Sequence, residues 1–186
     1  MSELGKRLSD GDNGAFSEVV GQYSRRVYAL CYRILRDEEE ARDITQEVFV
    51  KVYTKRRSFG GKSEIYTWIY RIAVNASLTY LKKKGREKGR AAFDENAAVV
   101  GPVAGAPSSP EGSSALSELK GRVDEAVGSL PAHFRASFAL VAGEGLSHRD
   151  AARVLGCSEN TVAWRMHKAR KLLRARLRPF LEEVGS

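Results

Sequence analysis

Cysteine, histidine and long apolar runs are scarce in this 186-residue chain, and each scarcity closes off a class of function. The two cysteines, Cys31 and Cys157, are far apart and sit inside helical patterns, so they read as small buried thiols and not as a disulfide. The three histidines, His133, His148 and His167, show no HxxxH spacing and no CxxC accompanies them, which predicts no metal site. No apolar run approaches the roughly 18 residues of a bilayer span, so no membrane insertion is expected. The segment after Met1-Ser2-Glu3 has no apolar signal-type stretch, which places the chain in the cytoplasm. No carboxylate cluster is placed to hold a catalytic metal, which argues against a nuclease; neither a cofactor nor enzymatic chemistry is expected. Gly60-Gly61-Lys62-Ser63 has the ending of a phosphate-binding loop. Arg56 stands where that motif needs its first glycine, and a helical pattern precedes it instead of a strand, so nucleotide binding is rejected.

What the chain does have is positive charge and helical periodicity. Lys and Arg number 31 against 23 Asp and Glu, a net charge of +8 that suits a polyanion, either nucleic acid or an anionic membrane surface. Apolar residues recur at helical spacing and nowhere alternate as in a strand. Phe16, Val19, Val20, Tyr23, Val27, Leu30, Cys31 and Ile34 form one stripe. Asp37 with Glu40 makes a capping box for a second helix, which Gly60-Gly61 should break. Ile65, Trp68, Ile69, Ile72 and Ala76 form the inner face of a third. Residues 91–115 lack Lys and Arg and are rich in Gly, Pro and Ser, the composition of a flexible linker. The pattern resumes at Leu116, Leu119, Val123, Val127 and Leu130. The expected fold is all-α, with two small helical domains, residues 1–90 and 116–186, joined by the linker 91–115.

The second domain carries the strongest motif. Ser147 with Asp150 begins a short helix that turns Ala151, Val154 and Leu155 inward; Gly156 supplies a turn; Ser158 caps the next helix through the Thr161 N–H. Two helices joined in this way predict a helix-turn-helix whose second helix enters the major groove. Residues 158–178 hold seven Lys and Arg against Glu159 alone. In the first domain Asp43-Ile44-Thr45-Gln46-Glu47 follows Glu38-Glu39-Glu40, an acidic stretch that DNA would repel. It suits a protein partner or is a solvated acidic face. Tyr66-Thr67-Trp68-Ile69-Tyr70-Arg71 interleaves rings with a cation, and Arg71, Asn75, Leu78 and Lys82 share a helix face, as single-strand binding requires. Tyr66 and Tyr70 are the expected exposed rings, and Trp68 is divided between core and surface.

Together these residues resemble the sigma-70 family of RNA polymerase sigma factors, specifically its extracytoplasmic-function group. The resemblance rests on Asp43-x-x-Gln46-Glu47-Val48-Phe49, Phe59-x-Gly61 and Thr67-Trp68-Ile69-Tyr70-Arg71-Ile72-Ala73-x-Asn75 in the first half. In the second it rests on Leu130-Pro131-x-x-x-Arg135, Glu144-Gly145-Leu146-Ser147, Leu155-Gly156-Cys157-Ser158 and Thr161-Val162-x-x-Arg165-x-x-Lys168-Ala169-Arg170. It implies that Asp43, Gln46, Glu47 and Phe49 dock on bacterial core RNA polymerase. It implies that Lys62, Ser63, Tyr66, Trp68, Tyr70, Arg71, Asn75, Lys82 and Lys83 hold the melted −10 element of promoter DNA. The −35 duplex would meet His148, Arg149, Ser158, Asn160, Thr161, Ala163, Trp164, Arg165, His167, Lys168, Arg170 and Lys171. An anti-sigma factor is the implied regulator. The chain departs from the family pattern at Thr79, where many members have Asp, at Lys82, where many have Arg, and at Ala163-Trp164, where a basic then a small residue is frequent. Its −35 preference is therefore its own. The alternative is a stand-alone helix-turn-helix regulator that binds an operator without polymerase; the acidic helix and the ring–cation face speak against it.

Overall fold

The computed structural model describes residues 2–61, 63–87 and 115–184. The expected linker, apart from Ala115, lies outside the described residues, as does Lys62. Among the described residues every regular element is helical, as the periodicity requires.

The N-terminal unit is built from α1 (Glu3–Ser9), α2 (Asn13–Leu35), α3 (Glu38–Lys55) and α4 (Ile65–Glu87). Side chains start the first three helices by accepting orphan backbone N–H groups: Ser2 for Gly5, Asp12 for Gly14 and Asp37 for Glu40. The inner faces of α2, α3 and α4 meet over Val19, Val27, Leu30, Ile34, Ile44, Val48, Val52 and Ile69, all buried. Lys84 reaches Glu40 at 2.7 Å and ties the end of α4 to the start of α3. The break between α3 and α4 comes earlier than the glycine pair suggests. α3 ends at Lys55 and tightens into a 3-10 turn, Arg56–Ser58, where the Ser58 hydroxyl donates to the Lys55 carbonyl at 2.7 Å. Phe59 then tucks inward against Trp68, with ring centroids 5.1 Å apart.

The C-terminal unit comprises α5 (Ala115–Gly128), α6 (Ala132–Phe138), a π-turn at Ala139–Gly143, α7 (His148–Leu155) and α8 (Glu159–Val184). Ala126, Val127, Leu130, Phe134, Ala169 and Leu173 form a small core between α5, α6 and α8. Arg135 is buried there and donates to the Gly128 carbonyl at 2.6 Å, closing the end of α5. Burial, with the Arg36 guanidinium adding to it, lowers its pKa to about 10.

The two units pack on each other. The larger core runs on from α2 and α4 through Ala136, Ala139 and Leu140 to Ala151, Ala152 and Val154. α4 lies against α7, and α2 against α6 and the π-turn. Small residues on α7 let the helices approach closely. This second contact explains a difference from the expected inner face of α4. Tyr70, Ala73, Val74 and Ser77 are buried along with Ile65, Ile69 and Ala76, because α4 is covered from two sides.

Candidate nucleic-acid and partner interfaces

The helix-turn-helix forms as its side chains dictate. The Ser147 hydroxyl accepts from the Asp150 N–H at 3.1 Å and donates to the Asp150 carboxylate at 2.7 Å. Gly156 takes the left-handed conformation, φ +65°, that lets the chain leave α7, and its N–H donates to the Ala152 carbonyl. Ser158 then accepts from the Thr161 N–H at 3.1 Å, and its hydroxyl shares a hydrogen bond with that of Thr161. Ala151, Ala152 and Val154 face the core from α7; Leu155 is half-buried. On α8 the inward positions are Val162, Met166, Ala169 and Leu173. Helical geometry therefore turns Asn160, Trp164, His167, Lys168, Arg170 and Lys171 outward, and all are exposed. Trp164 is 44% exposed, packed edge-on with Phe134 at 5.5 Å between ring centroids, and the Lys168 amine lies 6.0 Å from its centre. Arg149 and Ser158 are exposed beside them; His148, Thr161 and Ala163 are half-buried.

Arg165 corrects the expected −35 set. It is 7% exposed, because it follows Val162 by three positions and falls on the inner side, and its Nη1 lies 3.9 Å from the Cys157 sulfur. Its place is under the turn, not on the outward surface.

On α4 the rings divide differently from the expectation. Tyr66 is half-buried and meets Tyr70 edge-on at 6.0 Å, while Trp68 is held on Phe59. Tyr70, expected to be exposed, is fully buried, and its hydroxyl donates to Glu144 at 2.8 Å. Burial first, and then the Glu144 carboxylate, push the Tyr70 phenol well above its ordinary range. Arg71 and Asn75 are exposed, and Arg71 donates to the Arg153 carbonyl on α7. Lys82 and Lys83 are exposed near the end of α4, and Ser63 is half-buried in the loop before it.

On α3, Asp43, Gln46 and Glu47 are exposed along one side, with Glu47 paired to Lys51. Phe49 is a second correction: it is buried with Ile44, Val48 and Val52 in the core and leaves the outward face. Two residues absent from the sequence reading stand there instead, Val50 at 62% exposed and Tyr53. The available signal was spacing, since Val50 is seven positions beyond Asp43. Glu144 was also missed as a site in its own right. Its carboxylate, 6% exposed, takes Arg33 at 2.6 Å, Arg26 at 3.4 Å and the Tyr70 hydroxyl.

Among the described residues no helix is long and apolar enough to cross a membrane. No group of three His, Cys, Asp or Glu among them is placed to hold a metal ion.

The fold and the α7–α8 geometry define a helix-turn-helix DNA-binding protein. Residues 19–87 match the family described as Sigma-70 region 2, and residues 120–173 match Sigma-70, region 4. The RNA polymerase sigma-H factor of Pseudomonas aeruginosa is 33% identical over 189 residues, covering 98% of this chain and 96% of that protein. The ECF RNA polymerase sigma-E factor of Haemophilus influenzae is 33% identical over 181 residues, covering 96% and 95%. The fold is similar to that of the sigma factor RpoE of Bartonella quintana, solved in complex with the anti-sigma factor NepR. That chain gives a TM-score of 0.67 at 24% identity, with 88% of this chain and 96% of that one covered. The chain belongs to the sigma-70 family, in its extracytoplasmic-function group, and is an RNA polymerase sigma factor.

Proposed function

We propose that the two units divide the work of promoter recognition. α3 docks on core RNA polymerase through Asp43, Gln46 and Glu47, with Val50 adding apolar contact. The loop before α4 and α4 itself hold the melted −10 strand through Ser63, Tyr66, Trp68, Arg71, Asn75, Lys82 and Lys83. α7 and α8 read the −35 duplex through Arg149, Asn160, Trp164, His167 and Lys168, with Arg170 and Lys171 near phosphates. The observation that carries this reading is the outward face of α8, a row of polar, cationic and aromatic side chains fixed in direction by the buried row Val162, Met166, Ala169 and Leu173. Such a row matches what base edges and phosphates require. The protein works in the cytoplasm and does no covalent chemistry of its own; trapping the unpaired strand makes melting favourable, and polymerase performs synthesis. An anti-sigma factor regulates it, as the Bartonella quintana complex supports by its composition.

Transcription reconstituted with purified core polymerase on a library of random promoter sequences tests the assignment. The expected result is start sites preceded by two enriched elements at fixed spacing. Absence of any specific start site, or enrichment of one element alone, would sink it.

A further inference from the structure

Among the described residues of the C-terminal unit, Trp164 is the one exposed ring. It lies in the second turn of α8, two positions beyond the buried Val162, so helical phase sends it away from the core. In a helix-turn-helix the early residues of the second helix are the ones that meet base edges. The direction of the ring is fixed. Its indole meets the buried Phe134 ring edge-on, with centroids 5.5 Å apart and planes at 74°. Phe134 is held in turn by the small core it shares with Ala169 and Leu173. An indole has only two side-chain torsions, and one already seated on a rigid neighbour loses little freedom when a ligand lands on it. The 44% of Trp164 that stays open is thus a preset apolar surface, at a position where this chain departs from the family pattern.

We propose that Trp164 is a thymine reader, its indole receiving the C5-methyl group of one thymine in the major groove of the −35 duplex. The inference rests on the assignment of α8 to that duplex. In the major groove adenine and cytosine each project an amino group, guanine shows the acceptors O6 and N7, and thymine shows O4 beside its methyl group. An indole has one donor and no acceptor. An adenine or cytosine amine pressed against it loses water and gains no partner, which is the costly case for a polar group. Guanine brings two acceptors, of which a single N–H serves one. Thymine alone brings carbon to carbon. Lys168 sharpens the same choice. Its amine lies 6.0 Å from the ring centre and carries donors only, so it too suits an acceptor and has nothing to offer an amine. The two side chains together call for a methyl group with an acceptor beside it, either the O4 of the same thymine or a neighbouring guanine.

The test uses the full chain with core polymerase, on synthetic promoters carrying the −35 element enriched from the random library. Each thymine of that element, on either strand, is replaced singly by deoxyuridine, which removes the methyl group and leaves base pairing intact. Transcription is read at limiting holoenzyme, where it reports promoter binding. One position is expected to lose roughly fourfold, the size of withdrawing one methyl group from an apolar contact. A cytosine pair placed there should recover activity when the cytosine carries a 5-methyl group. Trp164→Ala is expected to be indifferent to the methyl group in both settings, and Trp164→Phe to stay sensitive to it. A merely structural role for the ring would move neither response. If Trp164→Ala loses its helical circular dichroism, Trp164→Gln takes its place. A flat uridine scan with the wild-type chain, an element without thymine, or a uridine penalty that persists in the alanine variant overturns the inference alone. Failure to enrich any −35 element overturns the assignment of α8, and the inference with it.

Discussion

Lys168 projects from α8 in one row with Asn160 and Trp164, each four positions from the next, so the three exposed side chains point the same way. Its amine lies 6.0 Å from the centre of the Trp164 ring, close enough for the ring to orient it and too exposed for the ring to hold it. Replacing Lys168 by alanine is expected to cost about 1–3 kcal/mol at one base position and to relax preference there alone. Transcription from a set of single-base −35 variants checks this; an equal loss on every variant would make Lys168 a phosphate contact. Arg165, three positions earlier, carries the same charge to a different end. Sequence reasoning grouped it with the basic residues of α8 because charge is visible in a sequence and side-chain direction is only inferred from phase. The residues one turn either way, Val162 and Ala169, mark its true face, and a buried guanidinium under the turn is what that phase gives.

At the scale of an element, the caps were legible because they are local. Asp37, Ser147, Gly156 and Ser158 each act on backbone within a few residues, and each does what its chemistry predicts. The start of α4 and the break after α3 were less so: Lys55 frays into a 3-10 turn before any glycine is reached. Tyr70 was misplaced for another reason. Its environment is made by α7 and Glu144, more than seventy positions away, and no pattern within α4 encodes that contact. α3 shows both kinds of reading. Its inner residues were predicted by spacing, while Phe49 joined them against a motif that suggested the surface. The outward side keeps Asp43 and Glu47, with Val50 exposed one turn beyond them. Asp43→Arg with Glu47→Arg reverses the sign of that side and touches no core residue. The double variant is expected to keep its helical circular dichroism and to lose core polymerase in a pull-down, since like charges across an interface weaken association. Retained binding by the folded variant would remove α3 from the docking surface.

For the whole molecule, the arrangement of the units constrains how DNA is bound. Residues 91–115 number 25 and reach at most about 85 Å when fully drawn out. Promoter elements about one and a half turns apart lie on the order of 50 Å from each other. The covalent connection therefore permits both to be held at once, but only after α4 and α7 have separated. Separation breaks the Glu144 network and exposes the core shared by the two units. Duplex DNA alone offers little to offset this, because the face of α4 assigned to the −10 strand suits unpaired bases, which a closed duplex does not present. The net positive charge still draws the chain to any duplex through phosphate contacts, and that attraction weakens steeply as salt rises. The isolated protein is thus expected to bind promoter duplex weakly, with strong salt dependence and little sequence preference. On the proposed assignment, core polymerase engages the N-terminal unit and is expected to change both sides of the balance by holding the units apart and stabilising the melted strand. A footprint at physiological salt, with and without core enzyme, measures the difference directly. Protection of both elements is expected only in the presence of core enzyme. If the free protein protected both at nanomolar concentration, the units would have to separate on duplex unaided, and the closed arrangement would impose no barrier to promoter recognition.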